Sequence, residues 1–469
     1  MFLFLVLALS KKPIILVPGL YGSNLYVSYD KKAQVPWYCP KRMDDELLWI
    51  RTKYIIPPFI NCIARLTQTQ FDNDTQTLRN IPGVNITVKD FGGHASVDYV
   101  VKNHGKYNEN NHKKPKGILT FFDNFKSMMN HFTERGYKIR RDFFVAPYDW
   151  RIAPLFIDDY WMQLRNLIEN AYNQANGQKV TFLGFSMGCF MIQQFLASQQ
   201  LLENSRGKFI NGRPLWTSVK DQNVIVTDEW KQKYIEKVIF IAPSFGGTLK
   251  TFDGMIRRFS PLIPFYRTEY IADMSTSIPG FYSHWPNLQI FNGLDVVRGP
   301  DGRNYTVDQL RDLVFNYSNI RPEYVPIMDI AIDLQRYAPI DIGEKIPLAI
   351  IYNSRIQTTT FLDYKNGWDH DPIRITDANG DGSVPARGIR YACQNWNAEK
   401  RNLICIDLEK DDPKMFEHGS LPVNPLVLDL IYNATNGNPE NGQQQWWTKK
   451  GKIDVNMNQF QQKNVFLNF

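Results

Sequence analysis

"VTFLGFSMGCFMIQQFL", residues 180–196, is the stretch on which the reading of this chain turns. Val180 to Leu183 is a short apolar run of the length of a buried strand, and it ends in glycine. After Ser186 the apolar residues Cys189, Ile192, Phe195 and Leu196 recur at helical spacing, so the stretch reads strand, turn, helix. Gly184, Phe185, Ser186, Met187 and Gly188 fit GxSxG, the pattern of a nucleophile elbow. In such an elbow small residues at both flanks let strand and helix pack closely around a strained turn that holds the serine hydroxyl out. The alternative is an ordinary tight turn with a serine in it.

Working outward, five further segments read as core strands: "KPIILVPGLYGSNL" from residue 12, "FFVAPYDWR" from 143, "KVIFIAPSFGGT" from 237, "IPLAIIYNS" from 346 and "NLICIDLE" from 402. Helical patterns lie between several of them, notably 157–176 and 187–204. That alternation implies a mostly parallel, doubly wound α/β sheet with catalytic loops at the carboxyl ends of its strands. Residues 26–117 and 249–337 do not fit the rhythm and read as cap insertions into one hydrolase-type domain spanning 11–434. The Asn/Gln-rich stretch 435–469 reads as a polar tail.

The bulk numbers are those of a globular protein. Of 469 residues, 43% are hydrophobic and 14% aromatic, and the formal charge of +7 comes without a long basic run, which argues against a nucleic-acid footprint. The opening "MFLFLVLALSKKP" has an apolar segment too short to span a bilayer and reads as a signal peptide over residues 1–10, with a buried strand as the alternative. Five NxS/T sequons, at Asn73, Asn85, Asn304, Asn316 and Asn433, agree with a secretory route. Among the five cysteines, Cys39 and Cys62 bracket one loop, Cys393 and Cys405 bracket another, and Cys189 is left as a buried free thiol. None of these spacings suggests zinc, and no metal or other cofactor is implied.

A serine hydrolase of this architecture orders its triad serine, acid, histidine along the chain. Of seven histidines only His418, in "FEHGSLP", follows both Ser186 and the best acid candidates, and it lies just past the strand "NLICIDLE". The acid comes from "TDANGDGSVP", where Asp381 is favoured over Asp377. That stretch mimics the start of a calcium loop through Asp377, Asn379, Asp381 and Gly382, but the position that needs a bidentate glutamate is Gly388, and Pro385 interrupts it. The oxyanion hole is expected from the N–H groups of Met187 and Leu20, the latter in "VPGLYGSNL".

Eight motifs in this order, "PGLYGSNL", "VPWYC" with Cys62 as its partner, "FGGHASVDYV", "APYDWR", "GFSMGC", "APSFGGT", "NGDGSVP" and "EHGSLP", resemble the lecithin:cholesterol acyltransferase family, which includes the lysosomal phospholipase A2 and phospholipid:diacylglycerol acyltransferases. The resemblance runs from about residue 13 to 432 and implies an α/β-hydrolase fold with cap and lid insertions. It also implies a triad of Ser186, Asp381 and His418 and an oxyanion hole of Leu20 and Met187. Three departures stand out. Phe185 replaces the usual histidine before the nucleophile, Leu20 replaces the aspartate of the phospholipase branch, and Cys393 has Cys405 as its natural partner in place of the family's more distant one.

The run "LLWIRTKYIIPPFINCI", residues 47–63, carries many apolar side chains and two interior charges. Together with the 39–62 loop and the resemblance, it reads as a lobe that dips Trp49, Ile55, Ile56 and Phe59 into a lipid surface; the alternative is ordinary core packing. The segment "RRFSPLIPFYRTEYIADMSTSIPGFYSHWP" resembles the family's mobile lid. The expected function is therefore a secreted or endolysosomal phospholipase A or lipid O-acyltransferase. It works at a phospholipid membrane or lipoprotein-like surface and passes an acyl chain from Ser186 to an alcohol or to water. Two rivals are a carboxylesterase on soluble esters and a non-catalytic lipid-binding protein.

Overall fold

The structure is a computed structural model that describes residues 11–49, 59–72, 74–75, 77–97, 125–154, 157–205, 209–210, 213–214, 224–259, 268–334, 340–396, 402–408, 416–436, 443–448 and 451–456. Six strands form the central sheet, here labelled β1 (Ile14–Val17), β2 (Phe143–Val145), β3 (Val180–Phe185), β4 (Ile235–Ile241), β5 (Leu348–Tyr352) and β6 (Leu403–Asp407). They are the six segments read from the sequence as strands. Their order is β6-β5-β4-β3-β1-β2, and every pairing is parallel.

The composition of the strands agrees with a sheet covered on both faces. β1, β3 and β5 are buried at every residue and carry apolar side chains on both faces, which only a strand covered on both sides tolerates. Alternate residues feed two separate cores. Ile15, Val17, Phe182, Val238 and Phe240 face one, where Leu164 and Ile168 of the helix Asp158–Gln174 and Phe195 of the helix Met187–Leu196 pack. Ile14, Leu16, Leu183, Ile239 and Ile241 face the other, against Met128 and Phe132 of the helix Lys126–Glu134 and Val427 and Ile431 of the helix Pro425–Asn436. Helices on both faces of a parallel sheet make the doubly wound α/β-hydrolase architecture, and its crevice opens at the strand carboxyl ends.

The helix pattern 187–204 is broken after Leu196 into two helices, the second spanning Ser198–Ser205. In the first insertion, Leu25–Tyr29 pairs antiparallel with Met43–Trp49 on one side and Val84–Thr87 on the other. The helix Phe59–Thr67 then runs against the helix Glu269–Ser277 of the second insertion. The two are stitched together by Gln68 Nε2 donating to Tyr270 O (3.0 Å), by Thr268 Oγ1 donating to Asn61 Oδ1 (2.8 Å) and by Thr69 Oγ1 donating to Ser277 O. The second insertion also shares a four-stranded sheet, in which Asp295–Arg298 pairs with Gln357–Asp363 and the latter with Ile373–Ala378, so a hairpin beyond β5 belongs to this layer.

Disulfides join Cys39 to Cys62 and Cys393 to Cys405, with Cα atoms 5.4 and 6.2 Å apart, and Cys189 is buried and free. The first disulfide closes the cap sheet onto the helix Phe59–Thr67. The second ties the helix Arg387–Asn395 to the edge strand β6. Residues 1–10, which read as a signal peptide, Asn73 and most of the stretch 435–469 lie outside the described residues.

Candidate active site

Ser186 sits at the tip of β3 with φ 53° and ψ −120°, a conformation that L-residues adopt only when their surroundings force it. The forcing is visible. Its N–H continues the sheet by donating to Ile241 O at 2.9 Å, and the next residue begins a helix. A β-carbon on Gly188 would stand 2.1 Å from Val17 O, and one on Gly184 would stand 2.9 Å from Cys189 Cα. Strand and helix therefore approach closer than any side chain permits, and Ser186 remains 7% exposed at the crevice floor.

Three loops meet there. His418 opens the short 3₁₀ helix His418–Val423 beyond β6, and its Nε2 lies 2.8 Å from Ser186 Oγ. Its Nδ1 lies 2.6 Å from Asp381 Oδ2. A carboxylate only accepts, so Nδ1 carries the proton and Nε2 is left as the acceptor facing the serine hydroxyl. Asp381 is 2% exposed, and its Oδ1 accepts from the N–H groups of Ser383 (3.0 Å) and Val384 (2.8 Å). The His418 N–H donates to Asp381 O at 2.9 Å, locking the two loops to each other. The loop bearing His418 is also held by Asn353, just past β5, whose Nδ2 donates to Phe416 O at 3.2 Å.

Asp377 takes no part in this. It lies exposed on the strand Ile373–Ala378, where Thr360 Oγ1 donates to its carboxylate at 3.1 Å, while Asn379 accepts from Arg390 at 2.7 Å. The residues that mimic a calcium loop are thus each committed to protein partners. Phe185 packs at a tilt against the His418 imidazole, ring centres 5.3 Å apart, so the departure from histidine puts an apolar wall beside His418.

The turn Gly19–Gly22 closes the other side. Gly22 N–H donates to Gly19 O at 2.9 Å, and a β-carbon on Gly19 would stand 3.1 Å from Ser186 Cβ. Among the described residues, neither the N–H of Leu20 in this turn nor that of Met187 at the start of the helix after the elbow has a backbone acceptor. The turn is clamped from outside: Tyr148 OH donates to Pro18 O (2.9 Å), Trp150 Nε1 to Ser23 O (3.0 Å) and Trp49 Nε1 to Tyr21 O (3.1 Å). The motif "APYDWR" supplies two of these clamps, a role that no local spacing in the sequence discloses.

Trp49 therefore corrects the reading of the 47–63 run. It is 1% exposed, packed against Tyr21 and Trp150 at ring distances of 5.3 and 5.2 Å, and belongs to the core under the Gly19–Gly22 turn. It is not available to a lipid surface, because its indole is spent on the turn. Ile55 and Ile56 lie outside the described residues. Phe59 is 38% exposed, and Trp37, in the motif "VPWYC" two residues before Cys39, is 93% exposed.

His284, buried beside this cluster, has its pKa pushed down to about 4 by burial, with the carbonyl of Gly280 opposing the shift. It stays neutral at physiological pH.

With the geometry in hand, relatives can be compared. The family model of lecithin:cholesterol acyltransferase matches residues 45–320, more than half of the chain. The chain belongs to this family. The lysosomal phospholipase A and acyltransferase of Bos taurus is 24% identical over 430 residues, covering 90% of this chain and 91% of that one. The phosphatidylcholine-sterol acyltransferase of Mus musculus is 25% identical over 407 residues, covering 83% and 78%. The lysosomal enzyme of Rattus norvegicus is 26% identical over 404 residues, covering 84% of each.

Proposed function

We propose that this lecithin:cholesterol acyltransferase family member is a lipid O-acyltransferase and phospholipase A that works through an acyl-enzyme on Ser186. The observation that carries the reading is the continuous relay from Asp381 through His418 to Ser186 at the carboxyl edge of the sheet, with distances of 2.6 and 2.8 Å. His418 Nε2 takes the proton of Ser186 Oγ as the oxygen attacks the ester carbonyl of a glycerophospholipid. The N–H groups of Leu20 and Met187 receive the oxyanion, and the imidazolium then gives its proton to the departing glycerol oxygen as the lysophospholipid leaves. Deacylation repeats these steps in reverse, with an alcohol or water deprotonated by His418. The names of the relatives pair phospholipid cleavage with acyl transfer, and in one case phosphatidylcholine with a sterol, which supports a lipid alcohol as acceptor.

The chain meets its substrate at a phospholipid membrane or lipoprotein-like surface. Trp37 and Phe59, both exposed and within three residues of the disulfide-bonded Cys39 and Cys62, support contact through this lobe. No helix among the described residues is long and apolar enough to cross a membrane. Two disulfides, with a lysosomal enzyme among the relatives, support the secretory or endolysosomal lumen as its location. Product analysis on phosphatidylcholine vesicles with and without sterol tests the reading. Lysophosphatidylcholine with free fatty acid or acyl-sterol is expected, and activity confined to monomeric soluble esters would favour a carboxylesterase.

A further inference from the structure

Lys250 occupies a position that ordinary helix chemistry disfavours. It lies in the first turn of the helix Leu249–Ile256, where the helix dipole repels a cation, and its half-buried side chain reaches across to the turn that carries Asp381. Burial pulls its ammonium below the usual lysine range, the Asp381 carboxylate pulls it back up, and Arg374 pushes it further down. Among the described residues no carboxylate reaches ion-pair distance of Nζ. A half-buried ammonium in this position is held by neutral acceptors.

Its partners lie on the acid-bearing turn. Nζ donates to Gly382 O at 2.7 Å and to Ser383 Oγ at 3.3 Å. Thr248, which caps the same helix, donates from Oγ1 to Ser383 O at 2.9 Å, and from the opposite side Thr358 Oγ1 accepts the Gly382 N–H at 2.9 Å. The Ser383 N–H held in this way is one of the two that fix Asp381 Oδ1. The turn has few atoms of its own to hold it: Gly382 takes φ 85° and presents no side chain.

We infer that Lys250 is a positioning residue of the triad: its ammonium clamps the Gly382–Ser383 peptide so that Asp381 presents Oδ2 to His418 in a fixed geometry. The helix after β4 is thereby wired to the loop after β5. This inference rests on the proposed role of Asp381, and it requires that Lys250 act through that residue alone.

A double-mutant cycle tests it, using the full chain, p-nitrophenyl butyrate turnover and the rate of fluorophosphonate labelling. Lys250→Met is expected to lower kcat and the labelling rate by about 10- to 100-fold with KM within about twofold, and Lys250→Arg, which keeps a cationic donor, to recover most of the loss. In an Asp381→Asn background the same Lys250→Met change should cost less than about twofold, because the carboxylate it orients is already gone. Equal loss in both backgrounds would overturn the inference, as would a rise in KM for phospholipid with kcat intact, which would make Lys250 a headgroup contact. If Asp381→Asn alone leaves labelling at the wild-type rate, the proposed triad fails first, and that result is read separately from the Lys250 comparison.

Discussion

The indole Nε1 of Trp49 donates to the carbonyl of Tyr21 at 3.1 Å, so the cap strand Met43–Trp49 holds the turn that carries Leu20. Replacing Trp49 by Ala removes that bond and the packing against Tyr21 and Trp150. The expected cost is about 3 to 5 kcal/mol of stability, with soluble-ester and vesicle activities falling together. A drop in vesicle activity alone, at unchanged melting temperature, would return Trp49 to the lipid-facing lobe.

Trp37 and Phe59 should show the opposite pattern. Each apolar side chain that enters a lipid phase contributes roughly 1.5 to 3 kcal/mol at full burial, so replacing both by Ser should weaken vesicle binding at least about tenfold. Turnover of p-nitrophenyl butyrate should hardly move, since neither side chain reaches the cluster around Ser186, and the melting temperature should fall less than in Trp49→Ala. Unchanged vesicle affinity would remove these residues from the membrane contact.

Asp381→Asn should lower activity by about 10³-fold or more, because an amide can donate to Nδ1 and reverse the imidazole tautomer. Asp377→Asn should stay within about twofold, since among the described residues its carboxylate meets Thr360 alone, on an exposed strand. Steady-state kinetics of the two variants side by side separates them, and the reverse ranking would reassign the acid.

Cys189 is held under the elbow with Sγ 3.5 Å from Ile241 O, and burial raises its thiol well above the ordinary range. At neutral pH it stays protonated and unreactive. Iodoacetamide should leave it unmodified in the folded protein and alkylate it fully in denaturant; stoichiometric modification of the folded protein would contradict the packing.

What the sequence discloses here follows from which interactions are local. The six sheet strands are legible because a strand buried on both faces must be a continuous apolar run, and the elbow is legible because Gly184, Ser186 and Gly188 must sit in register. His418 falls out of chain order alone. Asp381 against Asp377 is less legible, since four residues separate a buried turn from an exposed strand, and only the pairing of Gln357–Asp363 with Ile373–Ala378 tells them apart. The fate of Trp49 could not be read at all, because an apolar run has the same composition whether it faces lipid or core. Its partner Tyr21 lies 28 residues away, and Lys250 meets its turn across 132.

The most direct test is whether Ser186 becomes covalently acylated. Labelling the intact protein with a fluorophosphonate and mapping the adduct by mass spectrometry should place one label on Ser186. The Ser186→Ala variant should take no label and lose at least about 10³-fold in release of lysophosphatidylcholine from vesicles while keeping its melting temperature. A label on another residue, or a folded Ser186→Ala protein that still cleaves phosphatidylcholine at the wild-type rate, would contradict the mechanism.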